Sequence, residues 1–117
     1  MSHQVRTTHF LSMLCTLTLM FFATTSLAEV DADAATSLAK KNNCFKCHAV
    51  DKTKVGPSFK QVATNLKDDP DAEAKLVTHL TTGPIVKLQG GIEMNHEIID
   101  TQDQAEIKNL VHWILSR

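Results

Sequence analysis

Apolar residues after position 28 recur at three- and four-residue steps, which is the spacing of helices that bury one face. The first run can be capped by Asp31 or Asp33 and ends near Asn42, just before a pair of cysteines. The second run follows a turn at Gly56-Pro57, because proline is tolerated at the first position of a helix. These runs predict short helices before and after the cysteines.

Two further runs lie in the C-terminal half of the chain. Asp69-Pro70 caps and opens the third run, which ends at Gly83. Thr101 and Gln104 have the spacing of a capping box and open the last helix. The pattern predicts an all-α domain of about four short helices. Their buried side chains would be Ala34, Ala35, Leu38, Ala39, Phe59, Val62, Ala63, Leu66, Ala72, Leu76, Val77, Leu80, Ile107, Leu110, Val111, Ile114 and Leu115.

The segment between the third and fourth helices, Thr82 to Asp100, has no sustained hydrophobic period. It contains Gly83, Pro84 and the Gly90-Gly91 pair. Loops of this length inside a compact domain are usually functional or disordered. The sequence predicts a functional loop here, and it predicts no strand anywhere in the domain.

Residues 1–28 differ from the rest of the chain. Polar and basic residues lead into an apolar run from Phe10 to Ala23, and small or polar residues then end at Ala28. This layout predicts a secretory signal peptide cleaved after Ala28, a mature domain of residues 29–117 and a periplasmic location. The alternative is an uncleaved membrane anchor, but a spanning helix needs about 20 apolar residues and this run is shorter. Cys15 would be removed with the signal.

The composition of the mature domain leaves its core incomplete. Residues 29–117 have a formal net charge of −2, which gives no indication of a nucleic-acid partner. Phe45, Phe59 and Trp113 are the only aromatic residues in this range. A domain this small usually needs a disulfide, a metal or another staple. We therefore expect a bound group to fill part of the core.

Cys44-Phe45-Lys46-Cys47-His48 is a C-x-x-C-H motif, the attachment signature of c-type haem. Two intervening residues let one backbone turn present both thiols to the porphyrin edge, while the histidine reaches the iron. A disulfide, half of a zinc site and a thioredoxin-type redox pair are the alternatives. A zinc site would need further soft ligands, and no cysteine follows Cys47. A thioredoxin-type pair would need a βαβ setting that the pattern lacks.

The chain resembles the small bacterial class I cytochromes c over essentially all of residues 34–117. The resemblance rests on the C-x-x-C-H motif after a helix, the segment Val55 to Phe59, a methionine before the last helix, and the ending Leu110 to Leu115. It implies a cytochrome c fold wrapped around one covalently attached haem c, and a single-electron carrier that is not an enzyme. It also implies that Cys44 and Cys47 bind the haem, that His48 binds the iron and that the Pro57 carbonyl accepts the proton-bearing nitrogen of His48.

The resemblance further implies that Met94, the only methionine after residue 28, is the second axial ligand. A thioether is a soft, neutral donor that raises the reduction potential. Family members have prolines beside this methionine, whereas this loop reads Glu93-Met94-Asn95-His96. His96 is therefore an open alternative that would lower the potential. We expect His79 on a helix surface or in packing, and His112 on the surface.

The expected partners are redox proteins that dock transiently to donate or accept an electron, and no stable membrane insertion is expected after signal removal. Lysines near the haem edge are candidates for the docking surface: Lys46, Lys52, Lys54, Lys60 and Lys87. Two other functions stay open. The chain would be a haem subunit of a larger oxidoreductase complex if its apolar surface were large, or a gas-binding or peroxidatic haem protein if the sixth iron position were labile.

Overall fold

Five helices and one two-stranded hairpin make up residues 29–117, the part of the chain that this computed structural model describes. The predicted signal peptide lies outside the described residues. Across residues 29–117, no helix has both the length and the apolar character needed to cross a membrane. In chain order the elements are α1 (Ala32–Lys41), α2 (Cys44–Cys47), α3 (Phe59–Leu66), α4 (Ala72–Thr82), β1 (Ile85–Lys87), β2 (Glu93–Asn95) and α5 (Gln104–Leu115).

The first and last helices form the centre of the domain. Ala35 and Ala39 are fully buried on α1, and their small side chains let α5 approach closely. Ile107, Leu110 and Val111 of α5 are buried in return, each stabilising the fold by about 1.5–3 kcal/mol. The predicted all-α fold is confirmed. Most of its core lies where the helical pattern indicated, but Ala34 is exposed, and Ile99, which lies outside the predicted helices, is buried.

Two predicted helix starts are wrong. Asp103, not Thr101, caps α5, because its carboxylate accepts hydrogen bonds from the N–H groups of Ala105 and Glu106. Asp69 accepts from the N–H of Asp71 in a turn, so that α4 begins only at Ala72. An aspartate can form such a turn as readily as a cap, and the sequence pattern does not separate the two.

The prediction that the domain has no strand is also wrong. β1 and β2 pair antiparallel within the loop, with Val86 opposite Met94. Gly90 and Gly91 take positive φ angles of 87° and 81° at the tip, a conformation that favours glycine. The strands are three residues long, and within them only Val86 is not exposed, so the sequence carries no alternating pattern long enough to predict a strand.

Candidate functional site

An apolar cavity of about 420 Å³ lies between the helices and the hairpin. Polar side chains reach it from several elements, and the candidate site residues Cys44, Cys47, His48, Pro57 and Met94 all line it. The apolar lining includes Val55, Phe59, Val62, Leu76, Leu80, Val86, Leu88, Ile98, Ile99, Leu110 and Ile114. The fold therefore brings together every site residue expected from the sequence.

The two cysteines lie at the ends of the single turn of α2. Asn43 precedes this turn in the left-handed conformation, with a φ of 56°, and the N–H of His48 closes the turn by donating to the Cys44 carbonyl at 2.9 Å. Neither cysteine is in a disulfide within residues 29–117, and both are half-buried. Burial raises the pKa of the Cys44 thiol above its ordinary value. The turn thus presents the side chains of both cysteines at the cavity.

The imidazole of His48 is fixed by the segment that follows it. Its Nδ1 lies 2.7 Å from the carbonyl oxygen of Pro57. Because a carbonyl only accepts hydrogen bonds, Nδ1 carries the proton and Nε2 keeps its lone pair for a metal. Pro57 has no N–H to contribute, but its carbonyl is free to orient this ring.

Two neighbours pack against the His48 ring. Phe59 stacks on it, with ring centroids 5.3 Å apart and planes inclined by 20°. Gly56 lies so close that a Cβ atom there would meet Cε1 of His48 at 2.6 Å. The Phe59 ring in turn meets Trp113 edge-on at 5.3 Å. His48 is therefore held between the turn before α3 and the aromatic core.

Met94 and His96 both reach the cavity from the second strand and the residues after it. The Met94 side chain is 40% exposed, and it lines the cavity. His96 is half-buried, with its ring centroid 6.1 Å from that of His48. Nδ1 of His96 lies 2.9 Å from the carbonyl oxygen of Glu97.

His79 is a cavity residue that the sequence reasoning missed. Its ring meets the ring of His96 at 4.4 Å, inside the cavity formed partly by α4. Burial, together with His96 and His48, lowers the pKa of His79 below its ordinary value. The signal was its place on the apolar stripe: Leu76 and Leu80, three residues before it and one after, line the same cavity. His112 is exposed, as expected.

Comparison with known proteins identifies the family. A family model described as cytochrome c matches residues 32–117. The chain belongs to the cytochrome c family. The cytochrome is 37% identical over 89 residues to cytochrome c-552 of Nitrosomonas europaea, covering 76% of this chain and 80% of that protein. It is 36% identical over 80 residues to cytochrome c-551 of Allochromatium vinosum, covering 67% and 80%.

Solved structures agree with this assignment. The crystal structure of the class 1 cytochrome MtoD from Sideroxydans lithotrophicus ES-1 superposes with a TM-score of 0.72 at 55% identity, covering 74% of this chain and 96% of that chain. Wild-type cytochrome c552 of Nitrosomonas europaea superposes with a TM-score of 0.55 at 34% identity, covering 69% and 96%. The predicted resemblance to small class I cytochromes is therefore confirmed.

Proteins of this family bind haem c covalently, and this cytochrome carries that cofactor. The residues at the cavity fit the group. A largely apolar cavity suits a porphyrin, the α2 turn offers two free thiols, and His48 has an unprotonated Nε2 available to iron. The cofactor supplies the bulk that the small core lacks.

Proposed function

We propose that the cytochrome carries single electrons between redox proteins in an exported compartment, with its haem bound by Cys44 and Cys47 and its iron held between His48 and Met94. The observation that carries this proposal is the His48 imidazole, fixed through Nδ1 by the Pro57 carbonyl at 2.7 Å, on the wall of an apolar cavity that both thiols and Met94 also line. Haem, when bound, supplies the reversible change between ferric and ferrous iron.

The protein's part in this function is to hold the ligands still. The Pro57 carbonyl fixes the tautomer and the orientation of His48, and Phe59 together with Gly56 limits rotation of its ring. A histidine held in this way keeps the same position in both oxidation states. We expect little rearrangement on electron transfer.

Met94 is the proposed sixth ligand because its side chain lines the cavity, whereas Glu93 and Asn95, the other residues of β2, do not line it. Its neutral thioether favours ferrous iron, and the apolar lining disfavours the additional positive charge of ferric iron. Both effects raise the reduction potential. With His48 and Met94 both bound, the iron would have no position left for a substrate, which is why we propose a carrier and not an enzyme.

Partner docking is proposed at the rim of the cavity, where apolar side chains are exposed. Val55 is 46% exposed and Ile98 60%, and both line the cavity. Of the predicted lysines, Lys87 forms an ion pair with Glu93 and Lys54 donates to the Phe45 carbonyl, so these two are partly engaged within the protein. Brief contact through a mixed apolar and polar rim suits a carrier that must release each partner.

Covalent attachment is tested by replacing both cysteines in the full chain, Cys44→Ala with Cys47→Ala. We expect no haem to remain on the chain after denaturing electrophoresis, and we expect loss of the cooperative helical signal, because the cavity would then be left empty. Replacing the exposed Thr53 by alanine is the control for handling and expression. A folded, cooperatively unfolding double variant would contradict the proposed role of haem in the core.

Electron carriage is tested by redox titration of the haem-loaded protein, with hydrogen peroxide turnover measured in parallel. One electron per chain, with negligible turnover, is the expected result. Rapid peroxide turnover would favour the peroxidatic alternative.

The proposed export is tested by the mass of the protein recovered from the periplasm, since cleavage after Ala28 leaves Glu29 as the first residue.

A haem subunit of a larger complex is the second candidate function. The exposed isoleucines Ile85, Ile92 and Ile98, each at least 60% exposed, favour it because they lie close together in the chain around the hairpin. The protein's elution volume in a native extract of its own cells separates the two functions. A carrier elutes at the size of a small monomer, and a subunit elutes with its complex.

A further inference from the structure

Two histidines of the cavity share one hydrogen-bonding arrangement. Nδ1 of His48 faces the Pro57 carbonyl oxygen at 2.7 Å, and Nδ1 of His96 faces the Glu97 carbonyl oxygen at 2.9 Å. A carbonyl cannot donate, so both rings carry their proton on Nδ1 and keep a lone pair on Nε2. This is the arrangement that metal-binding histidines have in proteins.

The other two histidines of the described chain lack this arrangement. Nε2 of His112 is engaged by the Glu73 carboxylate at 2.7 Å, outside the cavity. Among residues 29–117, the structure gives no hydrogen bond to the ring of His79, which contacts His96 edge-on. Among the cavity histidines of residues 29–117, only His48 and His96 have Nδ1 at a backbone carbonyl and Nε2 free to bind a metal.

The separation of the two rings suits a shared ion. Metal to imidazole nitrogen bonds are about 2 Å long, and a ring centre lies roughly 1 Å from its nitrogen, so rings on opposite sides of one ion have centres roughly 6 Å apart. The centroids of His48 and His96 are 6.1 Å apart.

His96 and Met94 both have hydrogen-bonded backbones, and they differ in exposure, since Met94 is 40% exposed and His96 is half-buried. The N–H of His96 donates to the Pro84 carbonyl at 2.9 Å, and its own carbonyl packs against Gly83, where an added Cβ would lie 2.6 Å from it. Met94 pairs with Val86 in the hairpin, on a three-residue strand whose residues are all exposed. Segments with few buried contacts open at low free energy, so the thioether is the ligand that leaves more readily.

We propose that His96 is a second axial donor for the haem iron, which replaces Met94 when the thioether leaves. This inference rests on the proposed function. In the exchange the bond from iron to the Met94 sulfur breaks and a bond from iron to Nε2 of His96 forms. Nδ1 keeps its proton, and no electron is gained or lost. The exchange keeps the iron closed and lowers the reduction potential, since thioether ligation is what raises it.

The test compares haem-loaded Met94→Ala with the double variant Met94→Ala/His96→Ala. We expect the single variant to stay low-spin and to bind carbon monoxide weakly, because the gas must first displace His96. Removing His96 as well should convert the iron to high spin and strengthen carbon monoxide binding by about tenfold or more. The double variant Met94→Ala/His79→Ala is the control, and it should stay closed.

Three results would overturn the proposal. If the iron of Met94→Ala is already open and binds carbon monoxide as tightly as Met94→Ala/His96→Ala does, then His96 does not bind the iron. A double variant that stays low-spin means that another group closes the iron. If the iron is open in Met94→Ala/His79→Ala and closed in Met94→Ala/His96→Ala, then the donor is His79 and not His96. Absence of the thioether charge-transfer band from the wild-type protein is a separate result, which counts against the proposed Met94 ligation. The comparison of Met94→Ala with Met94→Ala/His96→Ala would still show whether His96 binds the iron.

Discussion

The side-chain oxygen of Asn42 accepts a hydrogen bond from the backbone N–H of Asp100 at 2.6 Å, across 58 positions of the chain. The Nδ2 group of Asn42 donates to the Leu38 carbonyl of α1 at 2.9 Å. One side chain therefore joins the end of α1 to the end of the segment that carries Met94 and His96. Lys41 adds an exposed ion pair to the Asp100 carboxylate at 3.6 Å.

We expect Asn42→Ala to loosen the Met94 segment before it unfolds the domain. Loss of its two hydrogen bonds should lower the free energy of unfolding by about 1–3 kcal/mol. The charge-transfer band should disappear at a lower denaturant concentration than the helical signal. Denaturant titrations of the haem-loaded protein, followed at both signals, measure this separation.

Asn109→Ala is the matched control for Asn42→Ala. Asn109 also makes two hydrogen bonds between a side chain and the backbone, both to Asp31, at 2.8 and 2.9 Å, and it lies outside the cavity lining. Its loss should lower the stability of the domain while both signals still disappear together. Equal behaviour of the two variants would contradict a specific link from Asn42 to the ligand segment.

Gly56→Ala should disturb the iron site through His48. The added Cβ would lie 2.6 Å from Cε1 of the ring, too close without movement of the imidazole or the backbone. We expect a loss of about 1–3 kcal/mol in unfolding free energy, with a changed visible spectrum. Gly90→Ala is the control, because its Cβ would meet no atom within 4 Å although its φ of 87° makes it strained. A normal spectrum for Gly56→Ala would show that His48 is not confined there.

Glu73 links α4 to α5 and should give the domain a pH-dependent contribution to stability. Hydrogen bonds from His112 and then Lys108 hold the pKa of this carboxyl below its ordinary value of 4.5. A lowered pKa in the folded state means that the contribution is complete above about pH 5 and disappears as the pH falls through the lowered value. The Tm of Glu73→Gln should therefore be slightly below that of the wild type near neutral pH and should approach it in acid.

The control for Glu73→Gln is Asp51→Asn, an exposed carboxylate for which the structure gives no ion pair or side-chain hydrogen bond within residues 29–117. Its Tm near neutral pH should stay close to that of the wild type. A Tm difference for Glu73→Gln that is the same in acid as near neutral pH would contradict the assigned role of this contact.

The helices could be predicted from the sequence because their signals are local. Ile107, Leu110 and Val111 repeat at helical spacing, and the same residues are buried on α5. The hairpin could not be predicted in this way. Its pairing of Val86 with Met94 depends on the return of the chain around Gly90, and its exposed residues give no alternating pattern.

The candidate site divides along the same line. Cys44, Cys47 and His48 lie within five residues, so one motif predicts them together. The contact between His48 and His96 arises only after the hairpin folds back, and the ring arrangement of His96 depends on the Glu97 carbonyl. Sequence reasoning identified His96 as an alternative to Met94, but the shared arrangement of the two histidine rings is visible only in three dimensions.

The proposed function requires a covalently attached haem whose iron is closed by His48 and Met94. The measurement that tests it most directly is the visible absorption of the oxidised wild-type protein, recorded before and after reduction and exposure to carbon monoxide. An iron held by His48 and Met94 should give the charge-transfer band of ferric iron bound to a thioether, and no carbon monoxide binding after reduction. Absence of that band, with ready carbon monoxide binding, would contradict it.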